Sequence, residues 1–431
     1  MIEIDHLPTY GLSVQECGAR GDGISDDGPA IQRALNAGKR LVTIPYGVYR
    51  VGQALRIGSY THLRVHPRAR LYLADGAGVD NDTHLVTNLH HDRGDTDILI
   101  EGGIWDGNNL ANPRGPDSPG SYTGVLTNFR NVTGLTLRSL TLRDPESYYV
   151  RLTQIRGFLV EHIRFEAPHL RPNQDGIHIA GFCEDGIVRH IMGSGPAVPN
   201  DDVVAFSADD ALGRAQNLGK LNGPIRRIRV EDLSADDCHT FVRLLSIVSP
   251  VEDICVEGVR GGCQVCAVNA DGCRECRVQV FDPLDPAFAD GVGQMARITL
   301  RDFHVWKSRA GNHKPVLDLR TQGTDFTLER FQRDQDHDAE LGSRSEQGLA
   351  APTMRLGEFT PCRAILAGLN STRLGALVGA SSLSVADVSK LSSPVSSATY
   401  RIACELQREG ALLLAEGGFD TLQVNPTDPG V

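Results

Sequence analysis

The sequence predicts an all-β protein in which short strands coil into a parallel β-helix. One observation is a repeat of roughly 22 to 28 residues, a period typical of repeat architectures. A second is the alternation of polar and apolar residues in segments such as Thr136–Leu142 and Arg227–Val230, which indicates strands. The third is the supply of Gly, Asn and Asp between these segments, where turns are expected.

The repeat is marked by an aliphatic residue followed three positions later by another apolar residue. These pairs are Leu137 and Leu140, Val160 and Ile163, Val188 and Ile191, Val230 and Leu233, Val256 and Val259, Val278 and Phe281, Leu300 and Phe303, and Leu328 and Phe331. The leucine-rich repeat has a similar period, but its Leu-x-x-Leu-x-Leu-x-x-Asn signature does not recur. A parallel β-helix therefore fits the pattern better.

An N-terminal helix is predicted over Ser25–Leu35, with Asp26 or Asp27 as its N-cap. We expect this helix to cover the open end of the coil, because a terminal repeat must hide its sheet edge and core. No segment has the composition of a linker. We therefore predict one β-helix domain over residues 1–431, with a cap at about 12–60, rungs at about 60–333, and C-terminal rungs or a cap at about 334–431.

Composition limits the partners and the location of the protein. A formal charge of −11 argues against nucleic acid and anionic membrane surfaces, and no apolar run is long enough to span a membrane. Residues Met1–His6 lack the basic start and apolar stretch of a secretory signal. We expect a cytoplasmic protein, or a secreted one if a signal segment has been removed. The sequence does not predict the oligomeric state.

The ten cysteines are scattered through the chain, so free thiols are expected rather than a disulfide framework. A cluster with zinc-ligand spacing is formed by Cys263, Cys266, Cys273 and Cys276. The competing interpretation is a set of buried ladders, in which Cys238 stacks on Cys263 and Cys255 on Cys276. We favour the ladders, and we predict neither a metal nor an organic cofactor.

Two acidic segments lie one repeat apart, Asn173-Gln174-Asp175-Gly176 and Asn200-Asp201-Asp202. On successive turns of a coil, equivalent positions are about 4.8 Å apart, so Asp175 would stack on Asp202 and Gln174 on Asp201. Three carboxylates would then share one part of the surface. Like-charge repulsion makes such crowding costly, and acid/base chemistry is a common reason to keep it.

The step from Val188 to Val230 is longer than the others, and the excess lies within residues 207–224. Extra residues beside a candidate site usually form a loop over it. The pair Asp209 and Asp210 within this segment is interpreted as loop surface.

Four motifs occur in the order found in one enzyme family. They are Gly18-Ala19-Arg20-Gly21-Asp22-Gly23, Gly102-Gly103-Ile104-Trp105-Asp106-Gly107, Asn173-Gln174-Asp175-Gly176 and Asn200-Asp201-Asp202. Over about the first 250 residues the chain resembles the polygalacturonases of glycoside hydrolase family 28. This resemblance implies a single-stranded, right-handed, pectin lyase-like parallel β-helix.

The resemblance also implies an inverting glycosidase that acts on a pectin-related oligo- or polysaccharide. Asp201 would be the general acid, while Asp175 and Asp202 would hold and deprotonate the attacking water. An inverting mechanism places its acid and base about 6.5–9.5 Å apart, with room for that water. Neither a metal nor an organic cofactor takes part.

Two motifs of the family are altered. Its Gly-His-Gly motif is absent, although His239 lies about one turn beyond Asp201, and its Arg-Ile-Lys motif is matched only by Arg243, with Leu245 in place of the lysine. A related uronic-acid-containing or neutral sugar is thus as well supported as polygalacturonate. The candidate substrate-binding residues are Asn173, His178, His239, Arg243 and Arg151. Asn at a β-helix turn can also serve a purely structural role.

Two other functions stay open. A polysaccharide lyase or uronate epimerase could use the same fold, with the three aspartates binding calcium. A non-catalytic, glycan-binding β-helix protein or adhesin needs no ordered acids.

Overall fold

The structure is a computed structural model, and it describes residues 11–115, 122–271, 286, 292–308, 311–312, 314–321, 323–334 and 336–337, followed by the strands within 354–426 whose bounds are given below. Helix α1 spans Gly28–Asn36, and short 3-10 helices span Val14–Cys17 and Ala215–Asn217. No helix in this part of the chain is long and apolar enough to cross a membrane.

All other regular elements that the structure describes are strands. Strands β1 to β9 are Leu12–Ser13, Asp22–Asp26, Leu41–Ile44, Val48–Val51, Leu55–Ile57, His62–Val65, Arg70–Leu73, Val86–Asn88 and Asp95–Glu101. Strands β10 to β18 are Ile104–Asp106, Thr127–Arg138, Thr141–Arg143, Val150–Glu166, Ile177–Ala180, Cys183–Pro196, Asp202–Ser207, Ile225–Leu245 and Val251–Asp271. Strands β19 to β27 are Met295–Lys307, Leu317–Arg320, Gly323–Arg333, Met354–Gly357, Ala364–Ser371, Ser382–Leu383, Thr399–Cys404, Leu413–Glu416 and Thr421–Pro426.

Apart from β24, which pairs antiparallel with β26, the described strands pair in parallel with the equivalent strands of neighbouring turns, which confirms the predicted all-β parallel coil. One column of paired residues is Leu137, Val160, Val188, Val230, Val256, Leu300 and Leu328. All seven side chains are buried and belong to one continuous apolar core. The repeated aliphatic residues therefore form an inner ladder, because burying apolar surface between turns stabilises the coil.

The prediction that Val278 and Phe281 form a further repeat in this column is wrong. Both residues lie outside the described residues, and Val256 pairs directly with Leu300, so no turn intervenes between these two. A two-residue motif recurs by chance in a chain that is 40% hydrophobic.

One of the two predicted cysteine ladders is present. Cys238 pairs with Cys263 on the next turn, and both thiols are buried and free. Cys273 and Cys276 lie outside the described residues, so the zinc site stays a prediction. The prediction of the second ladder is wrong, because Cys255 pairs with Arg229 on one side and with Thr299 on the other.

Helix α1 begins after Asp27, one of the two predicted N-caps. The Asp27 carboxylate does not cap the helix; it accepts hydrogen bonds from the backbone N–H groups of Arg20 and Gly21 at 2.6 and 3.0 Å. Asp26 instead accepts from the N–H of Gly28 at 3.1 Å. The apolar face of the helix joins the core of the coil. Its role as a cover for the open end, and the right-handed sense of the coil, stay predictions.

The segment between β16 and β17, residues 208–224, is the long insertion that the repeat spacing indicated. We call it the inserted segment. The interpretation of Asp209 and Asp210 as loop surface is wrong, because the two residues are 0% and 1% exposed. Asp209 accepts hydrogen bonds from three consecutive backbone N–H groups, those of residues 247–249, at 2.7–2.8 Å. Asp210 forms an ion pair with Lys220 at 2.7 Å.

Candidate active site

The two acidic segments lie side by side, each at the start of a strand. Ile177 at the start of β14 pairs with Val204 of β16, and the same offset places Asp175 beside Asp202. The backbone agrees, since the N–H of Gly176 donates to the carbonyl of Asp202 at 2.8 Å. The chain turns and bends over residues 197–201 before β16 begins. This change of direction places two consecutive acids, Asp201 and Asp202, in the same cluster.

Asp201 is the most accessible of the three acids. Its side chain is 22% exposed, whereas that of Asp175 is 6% exposed. His239 lies next to it on the following turn, with Nδ1 3.5 Å from Asp201 Oδ1. On the opposite side, Asn173 Nδ2 donates to Asp201 Oδ2 at 3.3 Å. The structure thus brings Asn173 and His239 to the same carboxylate.

Among the residues that the structure describes, Asp201, Asp202 and His239 form a group whose geometry suits a cation. Each offers one ligand atom, and these atoms lie within 4.8 Å of one another. Two carboxylates and an imidazole can ligate a divalent cation, although acids also cluster in this way without one.

The other predicted residues lie in one column that runs along the sheet. Arg151 pairs with His178, His178 with Ala205, and Ala205 with Arg243. Arg243 is half-buried, whereas Arg151 is only 2% exposed. The Arg151 guanidinium donates to the carbonyl oxygens of Gln216 and Leu218, both at 2.9 Å. Arg151 therefore anchors the inserted segment instead of facing an open groove, because five fixed donors readily bind backbone carbonyls.

His178 is buried between an acid and a base. Its Nδ1 lies 2.6 Å from Asp175 Oδ2, and its Nε2 lies 2.9 Å from Lys220 Nζ. Tyr148 stacks on the ring, with centroids 4.0 Å apart and planes inclined by 9°. These contacts place His178 behind Asp175 and away from solvent.

The electrostatics of the cluster follow from burial and crowding. Burial raises the pKa of Asp175 well above its usual value, and the charges of Asp201 and Asp202 raise it further, while Arg243 and Lys220 oppose them. Burial lowers the pKa of His178 well below its usual value, and Lys220 lowers it again. Burial also lowers the pKa of His239, against the attraction of Asp201. Both imidazoles are therefore neutral near neutral pH.

Sequence reasoning missed Lys220, Asp210 and Gln216. All three lie in the polar, glycine-containing inserted segment, a composition typical of exposed loops. Yet Lys220 is 3% exposed, and burial lowers its pKa to about 8 in spite of the attraction of Asp210. No spacing or motif marks these residues, since the contacts that bury them join distant parts of the chain.

Comparison with known families and proteins supports the fold. The family model described as rhamnogalacturonase A/epimerase, pectate lyase-like, matches residues 11–96. The plasmin and fibronectin-binding protein A of Streptococcus pneumoniae is 30% identical in an alignment of 177 positions that covers 36% of this chain and 24% of that protein. A polygalacturonase of Persea americana is 24% identical in an alignment of 224 positions that covers 49% of this chain and 46% of that protein. The chain thus spans about a quarter to a half of the length of these curated relatives.

Two solved structures cover most of the chain. PfbA, a surface adhesin of Streptococcus pneumoniae, superimposes with a TM-score of 0.60 at 15% identity. The superposition covers 92% of this chain and 87% of the PfbA chain. The N-terminal fragment of gene product 12 of bacteriophage phi29 superimposes with a TM-score of 0.61 at 16% identity. This superposition covers 98% of this chain and 66% of the phage chain. Together with the family model and the parallel register of the strands, these matches show that the chain has the pectin lyase-like parallel β-helix fold.

Proposed function

We propose that the protein is a glycoside hydrolase related to family 28, with Asp201 as general acid and with Asp175 and Asp202 holding the attacking water. The observation that carries this proposal is the convergence of these three carboxylates, with His239 beside Asp201, on adjacent turns. The similarity to the Persea americana polygalacturonase extends over about half of the chain and supports the same reaction class.

The accessibility of Asp201 matches its assigned role. A general acid must reach the glycosidic oxygen, and Asp201 has the most exposed carboxyl of the three. Asp201 and Asp202 approach within 4.8 Å, which is shorter than the roughly 6.5–9.5 Å that leaves room for water between acid and base. Asp175 lies one turn away from Asp201 and one position further along the strand, so we assign Asp175 as the base and Asp202 as the residue that orients the water.

The inserted segment bears on the mode of attack. It covers Arg151 and the buried His178 on one side of Asp201. On the other side, the His239 side chain is 35% exposed and Arg243 is half-buried. A sugar chain would then extend in one direction only. We propose exo attack on a short uronic-acid-containing or neutral oligosaccharide, with Arg243 available to a substrate carboxylate or hydroxyl group.

The test is hydrolysis of a panel of uronic-acid-containing and neutral plant oligosaccharides by the wild type and Asp201→Asn, with product anomers followed by NMR. We expect turnover with inversion, and a rate at least about 100-fold lower in the variant. Asp232→Asn is a matched control, because Asp232 is exposed and sits at a positive φ of 55° that Asn also tolerates. Retention of configuration would contradict the assigned roles, and full activity of Asp201→Asn would exclude Asp201 as the acid.

The mode of attack has its own measurement. Reduced, end-labelled oligomers of increasing length are digested, and the first products are sized. Exo attack releases a constant short unit from one end. A statistical distribution of early fragments would show that the covered side of the site still admits sugar.

A second candidate is a lyase or epimerase that depends on a divalent cation. The observation in its favour is the group of Asp201, Asp202 and His239, whose ligand atoms lie within 4.8 Å of one another. Unsaturated product ends, formed only with added calcium and abolished by a chelator, would replace the hydrolase proposal.

A third candidate is glycan or protein binding without turnover. The observations in its favour are the similarity to the plasmin and fibronectin-binding protein of Streptococcus pneumoniae and the superposition on PfbA. Saturable binding to a glycan array, unchanged in Asp201→Asn and without products, would favour this function.

A further inference from the structure

The inserted segment places a buried lysine against the acid cluster. The Lys220 side chain is 0% exposed, and its ammonium lies 2.7 Å from Asp210 Oδ2 and 2.9 Å from His178 Nε2. The contact to His178 joins residues that are 42 positions apart. A lysine that only tethered a loop could pair with Asp210 at the surface, without the cost of burial. The second contact, to His178, therefore needs its own explanation.

The direction of each hydrogen bond follows from donor chemistry. An ammonium group has three donors and no acceptor, so His178 Nε2 must accept from Lys220. In a neutral imidazole the proton then resides on Nδ1, which donates to Asp175 Oδ2 at 2.6 Å. The buried chain of contacts runs from Asp210 through Lys220 and His178 to Asp175.

The ring of His178 is held in this orientation. Tyr148 stacks on its face, and the Tyr148 hydroxyl donates to Asn217 Oδ1 at 2.8 Å within the inserted segment. The same segment thus supplies both the partner of Nε2 and the support for the stacked ring.

We propose that Lys220 is a positioning residue for Asp175. It selects the Nδ1–H tautomer of His178, so that His178 donates to one carboxylate oxygen of Asp175 and leaves the other oxygen free to accept a proton from water. This role rests on the proposed hydrolase function. In the opposite tautomer, Nδ1 would be an acceptor facing the carboxylate, and Asp175 would have to rotate away or take up a proton.

The charged groups around Lys220 determine the pH at which its ammonium group loses its proton. Asp210 and Asp175 attract its charge and Arg151 repels it. Arg214 lies 4.0 Å from Asp210 and competes for that carboxylate. With the pKa of Lys220 lowered to about 8, we expect activity to decline as pH rises through about 8, as the ammonium loses its charge.

The test compares Lys220→Met, Lys220→Arg and the double variant Lys220→Met with Asp210→Asn, which leaves no lone buried charge. The matched control is Lys307→Met, because Lys307 is also fully buried but contacts the backbone carbonyls of Gln264 and Val265. The first readout is the tautomer of His178, read from imidazole nitrogen shifts by NMR and assigned with His178→Gln. The second readout is kcat, KM and the pH profile on the substrate identified above.

We expect the wild type and Lys307→Met to show the Nδ1–H form. Lys220→Met and the double variant should lose it, with kcat lower by about 10- to 100-fold, KM changed less than about 3-fold, and the decline near pH 8 absent. Lys220→Arg should restore the tautomer and part of kcat. Retention of the Nδ1–H form in both methionine variants would overturn the proposal. If the wild type turns over no substrate, the hydrolase function fails, whereas the NMR measurement still decides whether Lys220 sets the tautomer.

Discussion

The Nδ1 atom of His239 lies 3.5 Å from Asp201 Oδ1, although the two residues are 38 positions apart and belong to different turns of the coil. The pairing of Asp202 with Thr240 creates this contact, because it places the preceding residues side by side. We propose that this imidazole substitutes for the histidine of the missing Gly-His-Gly motif.

His239→Asn should lower kcat by about 10- to 100-fold. The neutral imidazole helps to orient the carboxyl of Asp201, and asparagine cannot reproduce its reach or shape. The measurement is steady-state kinetics on the substrate identified by the oligosaccharide panel. His190→Asn is the control, since His190 is 43% exposed and pairs with Asp232 instead. Unchanged kinetics in His239→Asn would remove this residue from the site.

Asp175→Asn should abolish turnover and stabilise the protein by about 0.5–2 kcal/mol at neutral pH. Burial and two neighbouring carboxylates raise the pKa of Asp175, so its ionised form costs stability above the unfolded value of about 4. The cost should vanish as pH falls to about 4, and the two unfolding curves should then converge. Urea unfolding at pH 7.5 and pH 4.5 measures this difference.

The control for that variant is Asp209→Ala. Removal of the Asp209 carboxylate leaves the three backbone N–H groups of residues 247–249 without their acceptor. This variant should therefore be less stable than the wild type by about 3 kcal/mol. A loss of stability in Asp175→Asn would contradict the assigned cost of the buried carboxylate.

His84 should make the folded state sensitive to acid. Burial, with a smaller effect from the charge of Arg151, lowers its pKa to about 3, whereas the unfolded value is about 6.5. Between these values the unfolded chain binds more protons, so stability falls as pH decreases through this window. From pH 7.5 to pH 5 this one residue should cost about 2 kcal/mol.

Urea titrations of the wild type and His84→Gln at both pH values measure this effect. The variant should be less stable at pH 7.5, because His84 Nδ1 lies at hydrogen-bond distance, 3.0 Å, from the carbonyl of Val125. Its dependence on pH should nevertheless be shallower. Equal slopes in the two proteins would show that His84 is not the group responsible.

Gly102→Ala should destabilise the protein by about 3 kcal/mol or more. Gly102 has a φ of +80°, and an added Cβ would lie 2.1 Å from the carbonyl oxygen of Val65. Gly38 provides a matched control, because its φ is +67° but nothing lies within 4 Å of an added Cβ. Gly38→Ala should therefore show only the cost of the left-handed conformation, about 1 kcal/mol. Thermal or urea unfolding separates the two contributions, and equal losses would argue against a steric role for Gly102.

Much of the site geometry could be predicted because the repeat defines its own register. Once the segments that begin at Asn173 and Asn200 are recognised as equivalent, Asp175 must lie beside Asp202, since a slip of one residue would turn the apolar side chains outward. The same logic located Cys238 beside Cys263 and His239 beside Asp201. The prediction from the repeat was wrong for Val278, because a two-residue motif matched the repeat pattern by chance, whereas Val256 pairs directly with Leu300.

The sequence by itself determined the parallel coil, its apolar ladder and the meeting of three aspartates, because these depend on contacts between equivalent positions of a regular repeat. Only the tertiary structure decided that Arg151 anchors the inserted segment and that Lys220 is buried against His178. The inserted segment follows no repeat, so the side chains it buries depend on how it folds back across distant turns. The local sequence pattern therefore does not predict these contacts.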